Sequence, residues 1–424
     1  MLEFIGIVFA FVVIIIMVNK KLPLGLAMFI ASLLVLMSAG VGPRDIARIV
    51  WTAALDLDTL DLAFAVAVIT ALASLLGRYS FFVKMVAALR GLLQNDNLAL
   101  MIVPGLIGSM PMVGGAIVSA PIVDNMGQRL NLSRKRRSAA NIIFRHSWYF
   151  IFPFMPNYIL ASRLAGITVE ELLFIQWPLT VVMLIAGYYF ILRRAETPGA
   201  VGSETGDEKL DESVDLQGAA WQSFIKYSSP ILLGLMLYLG LGLNLGLSLL
   251  TGIGLTLGLV HFSENNEDLT WSKVPGQLIG GINWEIVGAM VMIMVFRASI
   301  DQTVAFETIM NVMLEWGIPL ALITAGLGAL IGFVSASHAS SLAVVLPIVT
   351  PMALAAGENV VVYVMLAYCF AFLAYLISPL HLCQILTNNY FDVSLVKVYR
   401  VYTPVILSVA ATAGIIVALN GLLG

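Results

Sequence analysis

Ser335-Ala336-Ser337-His338-Ala339-Ser340-Ser341 places four serines and a histidine within seven residues, inside a stretch that is otherwise apolar. An unpaired polar group in such surroundings costs several kcal/mol, so the cluster needs a ligand, an ion or water, unless each serine caps a helix end and packs closely. The ligand reading is the stronger expectation. A half-helix starting after this kink aims its positive N-terminus at whatever sits there, which favours an anion. His338 and His381 both adjoin predicted backbone breaks, where an imidazole could bind or carry a proton; a hydrogen-bonded structural histidine is an equal alternative for each. Asn157 follows another break, Pro153-Phe154-Met155-Pro156. Ser109, Gly114 and Gly115 lie in a second small-residue kink. Glycine there permits either close backbone approach to a substrate or a turn with positive φ.

Three charged residues stand near or within apolar runs. An arginine at the centre of a spanning helix costs about 3 kcal/mol. Arg145 therefore either faces protein and pairs with an anionic substrate or, as the favoured expectation, reaches the headgroups from a helix end, with His146 beside it. Asp61 and Glu285 could carry protons, but both stand at helix starts, where a carboxylate offsets the dipole, and that role is favoured. The run Arg134-Lys135-Arg136-Arg137 reads first as a topology determinant and second as an anionic-lipid site. Gly254 and Gly258 have a spacing suited to close helix packing.

These residues must be held by helices in lipid. The chain of 424 residues is 60% hydrophobic and 11% charged, with mean hydropathy +0.97. A soluble domain of this length needs far more polar surface, so the class is polytopic all-α membrane protein. The net charge of −3 comes with no basic patch large enough for nucleic acid. Cys369 and Cys383, on one continuous helix, would stand about 21 Å apart, too far for a disulfide. Met1-Leu2-Glu3-Phe4 lacks the basic start of a signal peptide, so the first apolar run is expected to stay as a helix.

Apolar stretches long enough to span fall at 3–18, 23–40, 59–77, 139–163 and 170–192, then at 228–243, 245–261, 284–298, 356–386 and 402–422. Segments 97–127 and 318–352 are interrupted near their centres by Pro, Gly or Ser, and predict hairpins that enter the membrane and turn back. The expected organisation is a first repeat over 1–194, a polar cytoplasmic linker over 195–222 and a second repeat over 223–424.

The two halves share a phrase. Leu106-Ile107-Gly108, a kink, and Pro121-Ile122-Val123 are answered by Leu330-Ile331-Gly332, a kink, and Pro347-Ile348-Val349, about 224 residues later. Asp61 and Glu285 open matching helices at the same spacing. Amphipathic stretches follow at 78–94 and 301–315, and proline-broken spans at 139–163 and 356–386. With five spans per half the second repeat runs inverted. Most basic residues, from Lys20 and Lys21 to Lys397 and Arg400, then fall on the cytoplasmic side, with Arg44, Arg48, Arg163 and Arg297 opposite.

This layout, with an amphipathic arm, a hairpin and a proline-broken helix in each inverted half, resembles the ion transporter superfamily of gluconate permeases, divalent anion–sodium symporters and the large membrane subunits of TRAP transporters. The closest resemblance is to a domain-of-unknown-function branch. The Ser-Asn-Thr tip signature of the divalent anion symporters is missing; Met110-Pro111-Met112-Val113-Gly114-Gly115 and the 335–341 segment stand in its place. The resemblance implies a secondary transporter in a prokaryotic cytoplasmic membrane, with hairpins and broken helices as the moving part and the remaining helices as a dimerising scaffold. Dicarboxylate and sodium are not carried over with it.

The sequence holds no His-Glu-x-x-His, no phosphate-binding loop, no Gly-x-Ser-x-Gly and no cysteine pair with metal spacing. The expected function is ion-coupled movement of a small polar, carboxylate-like metabolite by elevator-type alternating access. Its site would be built from Ser335, Ser337, His338, Ser340 and Ser341 with Ser109, Gly114, Gly115, Asn157 and His381. Arg145, Asp61 and Glu285 are charged candidates beside it, no cofactor or metal is expected, and a bound Na⁺ or a proton would couple the transport. Rival readings are an intramembrane enzyme, with His338 as base and a neighbouring serine as nucleophile, and a transporter-like sensor or assembly subunit.

Overall fold

The computed structural model describes residues 2–93, 95–108, 115–193, 220–262, 269–303 and 317–423. They form helices, and no strand occurs among them. The first half holds α1 (Leu2–Asn19), α2 (Leu24–Ser38), α3 (Pro43–Ala54), α4 (Leu57–Arg78) and α5 (Phe81–Leu92). It continues with α6 (Asp96–Gly108), α7 (Gly115–Arg129), α8 (Arg134–His146), α9 (Pro156–Ala165) and α10 (Val169–Gly187), which runs on as a π-turn to Leu192. The second half holds α11 (Ala220–Leu235), α12 (Leu245–His261), α13 (Val274–Gly281) and α14 (Trp284–Ile300). Then follow α15 (Leu320–Ser335), α16 (His338–Ala355), α17 (Val360–Ile377), α18 (Leu382–Phe391) and α19 (Leu395–Leu423).

Among the described residues five helical stretches are long and apolar enough to cross a bilayer: Leu57–Arg78, Val169–Leu192, His338–Ala355, Val360–Phe391 and Leu395–Leu422. A sixth is Trp271–Gly281 with Trp284–Ile300, if that pair, bent by 45°, is one span. Large apolar side chains such as Ile5, Phe9, Phe174, Ile185, Leu322 and Leu407 lie exposed. In water so wide an apolar surface would aggregate; in lipid it is the solvated surface.

Helix packing sorts the molecule into two bodies. The helices α1–α5 and α11–α14 pack mainly on one another, as do α6–α10 and α15–α19, with few contacts across the seam. The same contacts occur twice. Exchange of α1–α4 with α11–α14 carries α1·α2 onto α11·α12, α2·α14 onto α12·α4, and α3·α14 onto α13·α4. In the other body, exchange of α6–α10 with α15–α19 carries α6·α8 onto α15·α17, α7·α18 onto α16·α9, and α8·α19 onto α17·α10. Here α10 and α19 join the body of the broken helices, whereas the resemblance counted 170–192 and 402–422 with the scaffold.

The repeated Leu-Ile-Gly phrase has a steric reason. A Cβ on Gly108 would collide with the Arg145 carbonyl of α8, and one on Gly332 with the Ala371 carbonyl of α17. Glycine at both places lets the backbone of α6 lie on α8 and that of α15 on α17. The second kink is tight. Ala336 sits in the left-handed region at φ 48°, the chain doubles back, and the Ser341 hydroxyl of α16 donates to the Gly328 carbonyl of α15 at 3.1 Å.

The amphipathic prediction for 78–94 corresponds to α5, with Met85, Val86 and Leu89 buried and Lys84 exposed. Most of the matching 301–315 stretch, and the linker over 195–217, lie outside the described residues. Cys369 and Cys383 are free thiols. The single rod between them is corrected, because the chain breaks at Ser378–His381 between α17 and α18.

Candidate binding site at the helix breaks

Proline shapes both interrupted spans. Pro156 starts α9, and Pro379 stands in the gap before α18; each lacks the N–H that would continue the preceding helix. His338, Ser378 and His381 are buried at the breaks, whereas Asn157 is half-buried and Pro379 and Leu380 are exposed. Asn157 is the second residue of α9, His338 the first of α16, and the Asn157 amide nitrogen lies 3.3 Å from His338 Nδ1. Two helix N-termini from different halves thus touch through polar side chains. The other ring nitrogen, Nε2, has no hydrogen-bond partner within reach, and the ring edge meets Tyr368 at 4.4 Å between centroids.

The serines are already engaged. Ser335 donates to the Ile331 carbonyl at 2.7 Å, and Ser337 caps α16 by accepting from the Ser340 N–H at 3.2 Å and the Ser340 hydroxyl at 2.7 Å. Local hydrogen bonds therefore engage the hydroxyls of Ser335, Ser337, Ser340 and Ser341, and the unpartnered side-chain atom in the segment is His338 Nε2. Ser109 and Gly114 lie outside the described residues; Gly115 begins α7.

His381 lies across Tyr375 from His338. Its ring is 4.1 Å from Tyr375 and 5.2 Å from His146, and its Nε2 is unpartnered. His146 Nδ1 is 2.7 Å from the Ile142 carbonyl, which fixes the ring. Ligand atoms of His146, His381 and Cys383 lie within 4.8 Å of one another. A cation there would meet a like charge, since Arg145 Nη1 is 3.9 Å from Cys383 Sγ.

The favoured expectation for Arg145 is overturned. Its residue is only 5% exposed, and it stands eleven positions into α8 beyond Arg134. At 1.5 Å per residue that is about 16 Å along the helix from its start, and the side chain is enclosed by protein and does not reach outward. Among the described residues no carboxylate pairs with it, and its Nε has no partner. Arg137, one helical face away, is matched by Asp124 of α7.

Asp61 and Glu285 stand elsewhere. Asp61 accepts from Arg163 of α9 and, at 2.5 Å, from the Asn244 amide, while Arg297 donates to the Arg163 carbonyl at 2.8 Å. Glu285 is exposed in the first turn of α14.

A buried polar network escaped the sequence reading. Asn141 of α8 donates to the Ala116 carbonyl at 3.3 Å and to Thr387 at 3.0 Å, with its Oδ1 unpartnered. Ser138 donates to Asn388 Oδ1 at 2.8 Å, as does Gln384, which accepts from Tyr402 at 2.9 Å. The network adjoins the start of α7, just beyond the first kink, as His338 and Asn157 adjoin the second. Its signal was present as spacing: Ser138, Asn141 and Arg145 recur at three and four residues, one helix face. So do Tyr368, Phe372 and Tyr375, the aromatic wall around His338.

No curated protein matches this chain. The model of the family described as "Protein of unknown function (DUF401)" matches residues 3–208 and 218–420, and the chain belongs to that family.

Proposed function

We propose that this protein is a secondary carrier for a small anionic, carboxylate-like metabolite, working by elevator-type alternating access in a prokaryotic cytoplasmic membrane. The observation that carries the reading is Arg145, a guanidinium buried in an apolar body with no acidic partner among the described residues. A buried charge without a counter-ion is costly, and a bound carboxylate would supply one in the bidentate geometry that arginine favours. The N-termini of α9 and α16, in contact through Asn157 and His338, add positive dipole ends.

The repeated contact pattern supports two inverted halves, each with a re-entrant hairpin (α6–α7 and α15–α16). The sparse seam between the two bodies supports a sliding mechanism, with α1–α5 and α11–α14 as the dimerising scaffold. Na⁺ is the coupling ion that the oxygens favour, since Asn141 Oδ1 is a buried acceptor with nothing to accept. The engaged serine hydroxyls favour a carrier over an enzyme with a serine nucleophile.

The test is a thermal-shift screen of purified protein against mono-, di- and tricarboxylates with and without Na⁺, followed by uptake in proteoliposomes. Stabilisation by a carboxylate, lost in Arg145→Met, is expected. The reading is sunk if no carboxylate stabilises or crosses, or if Arg145→Met carries it at the wild-type rate.

A further inference from the structure

The end of α8 and the start of α18 meet at the second broken span. His146 is the last residue of α8, His381 the residue before α18 and Cys383 the second residue within it. Both imidazoles are buried, each 1% exposed, whereas Cys383 is half-buried and Pro379, Leu380 and Leu382 near it are exposed. The two rings are prepared in the same way. Each turns Nδ1 toward a backbone carbonyl, His146 to Ile142 at 2.7 Å and His381 to Leu376 at 3.5 Å. A carbonyl can only accept, so the proton is on Nδ1 and the lone pair on Nε2. Histidines that hold a metal are oriented in this manner. His381 Nε2 is then a buried acceptor with no partner, and a ligand atom from each ring and the thiol sulfur lie within 4.8 Å of one another.

We propose that His146, His381 and Cys383 form a three-coordinate site for a soft monovalent metal ion of the Cu(I) class. The ligand set decides softness: thiolate and imidazole take copper or zinc, whereas Mg²⁺ and Ca²⁺ prefer oxygen. Charge decides between the two. Arg145 Nη1 donates to Cys383 Sγ at 3.9 Å, so its guanidinium is a fixed positive neighbour. Cu(I) on one thiolate is a neutral pair that adds no charge beside it, whereas Zn²⁺ on one thiolate brings a second buried positive charge. As the metal–sulfur bond forms, the thiol proton passes to water and no electron is transferred. At bond lengths of about 2.0–2.3 Å, three ligands in a plane stand about 3.6 Å apart, so the side chains close by about 1 Å at most. His381 and Cys383 adjoin a helix break, where such a movement disturbs no continuous helix. The bound ion ties α8 to α18 across that break. The inference is independent of the transport reading, because Arg145 keeps its charge with the site filled or empty.

The full-length protein, stripped of metal and kept reduced in detergent, would be titrated with Cu(I) against a chromophoric Cu(I) chelator. Wild type is expected to take one ion per chain, and X-ray absorption at the copper edge to read one sulfur and two nitrogens. Cys383→Ser and His381→Ala are each expected to weaken binding by about 100-fold or more, beyond the 10–100-fold typical of an outer-shell partner. Cys369→Ser, which removes the other thiol, is expected to bind as wild type. Unchanged affinity in Cys383→Ser, equal loss in Cys369→Ser, or a copper spectrum without sulfur overturns the site. Zn²⁺ held by the same three residues as tightly as Cu(I) overturns the selection by charge. Far-UV circular dichroism and elution volume of each metal-free variant separate lost binding from lost fold, and Cys383→Ser, which exchanges one atom, carries the test should His381→Ala fail to fold.

Discussion

Arg145 and His338 bear on the function in different ways. Arg145 brings a full charge, so its removal should cost the most: Arg145→Met is expected to weaken binding of a carboxylate by about 30-fold or more, from the roughly 2–5 kcal/mol of a desolvated charge pair. Arg145→Lys keeps the charge and loses the planar fork, and should recover part of that affinity. Isothermal titration with the best stabilising carboxylate measures both, and equal affinities for wild type and Arg145→Met would remove the residue from the site. His338 offers one hydrogen bond. Asn157→Ala and His338→Leu should each weaken binding by about tenfold, from the ~1–2 kcal/mol of a single buried polar contact, and the double variant should lose less than the product, since each residue holds the other. A fully additive double variant would mean that the 3.3 Å contact has no bearing on the ligand. The sequence disclosed His338 through its polar neighbours and left open whether their hydroxyls meet a ligand or bond locally; in the fold they bond locally. Arg145 was misjudged because a one-dimensional reading sees its nearness to the basic run and not the two turns and more of helix between them.

Glycine placement makes the repeat legible as an element-scale fact. A hydrophobic phrase can recur by chance in so apolar a chain, but Gly108 and Gly332 each admit a facing carbonyl where a Cβ would collide. That constraint binds backbone to backbone and leaves little room for relaxation. Gly332→Ala should therefore push α15 off α17 and lower stability by about 1–3 kcal/mol, the usual range for overpacking. Gly326→Ala, on the same helix with open space around it, should be neutral or slightly stabilising through helix propensity. Thermal unfolding in detergent compares the two; equal midpoints would mean that the α15–α17 approach is not tight. The breaks at Pro156 and Pro379 were readable from sequence because proline acts locally, whereas of the ten stretches expected to span only about half coincide with helices long and apolar enough to cross, and His338–Ala355, read as one leg of a hairpin, is long enough by itself. The assignment of α10 and α19 to the body of the broken helices was not readable, since both are plain apolar helices whose partners are set by shape. The Asn141–Thr387–Gln384 network was also hidden: scattered amides look like tolerated polar residues until two helices bring them together.

At the scale of the molecule, the two bodies touch sparsely, and a group of polar contacts around Arg163 spans the seam. Arg163, near the end of α9 in one body, is held by Asp61 of α4, faces Asp58 at 3.6 Å and receives Arg297 of α14 at its carbonyl, with Asn244 of α12 also on Asp61. If the bodies slide past each other, the bond between Arg163 and Asp61 must break once in each direction, so it biases the resting position. The pair is partly solvated, with side chains 35% and 25% exposed, so its worth is discounted to about 1 kcal/mol at most. Through population-shift arithmetic that is roughly a fivefold change in the ratio of the two positions. Arg163→Gln and Asp61→Asn should each shift that ratio, and the double variant should shift it no further than either alone. Distances between spin labels placed on α4 and α16 report the ratio directly, while affinity for the ligand stays as in wild type because neither residue touches Asn157, His338 or Arg145. A single unshifted distance distribution in all three variants would mean that the bodies do not move apart at this seam, and the elevator would have to be replaced by a mechanism in which the helix breaks open in place.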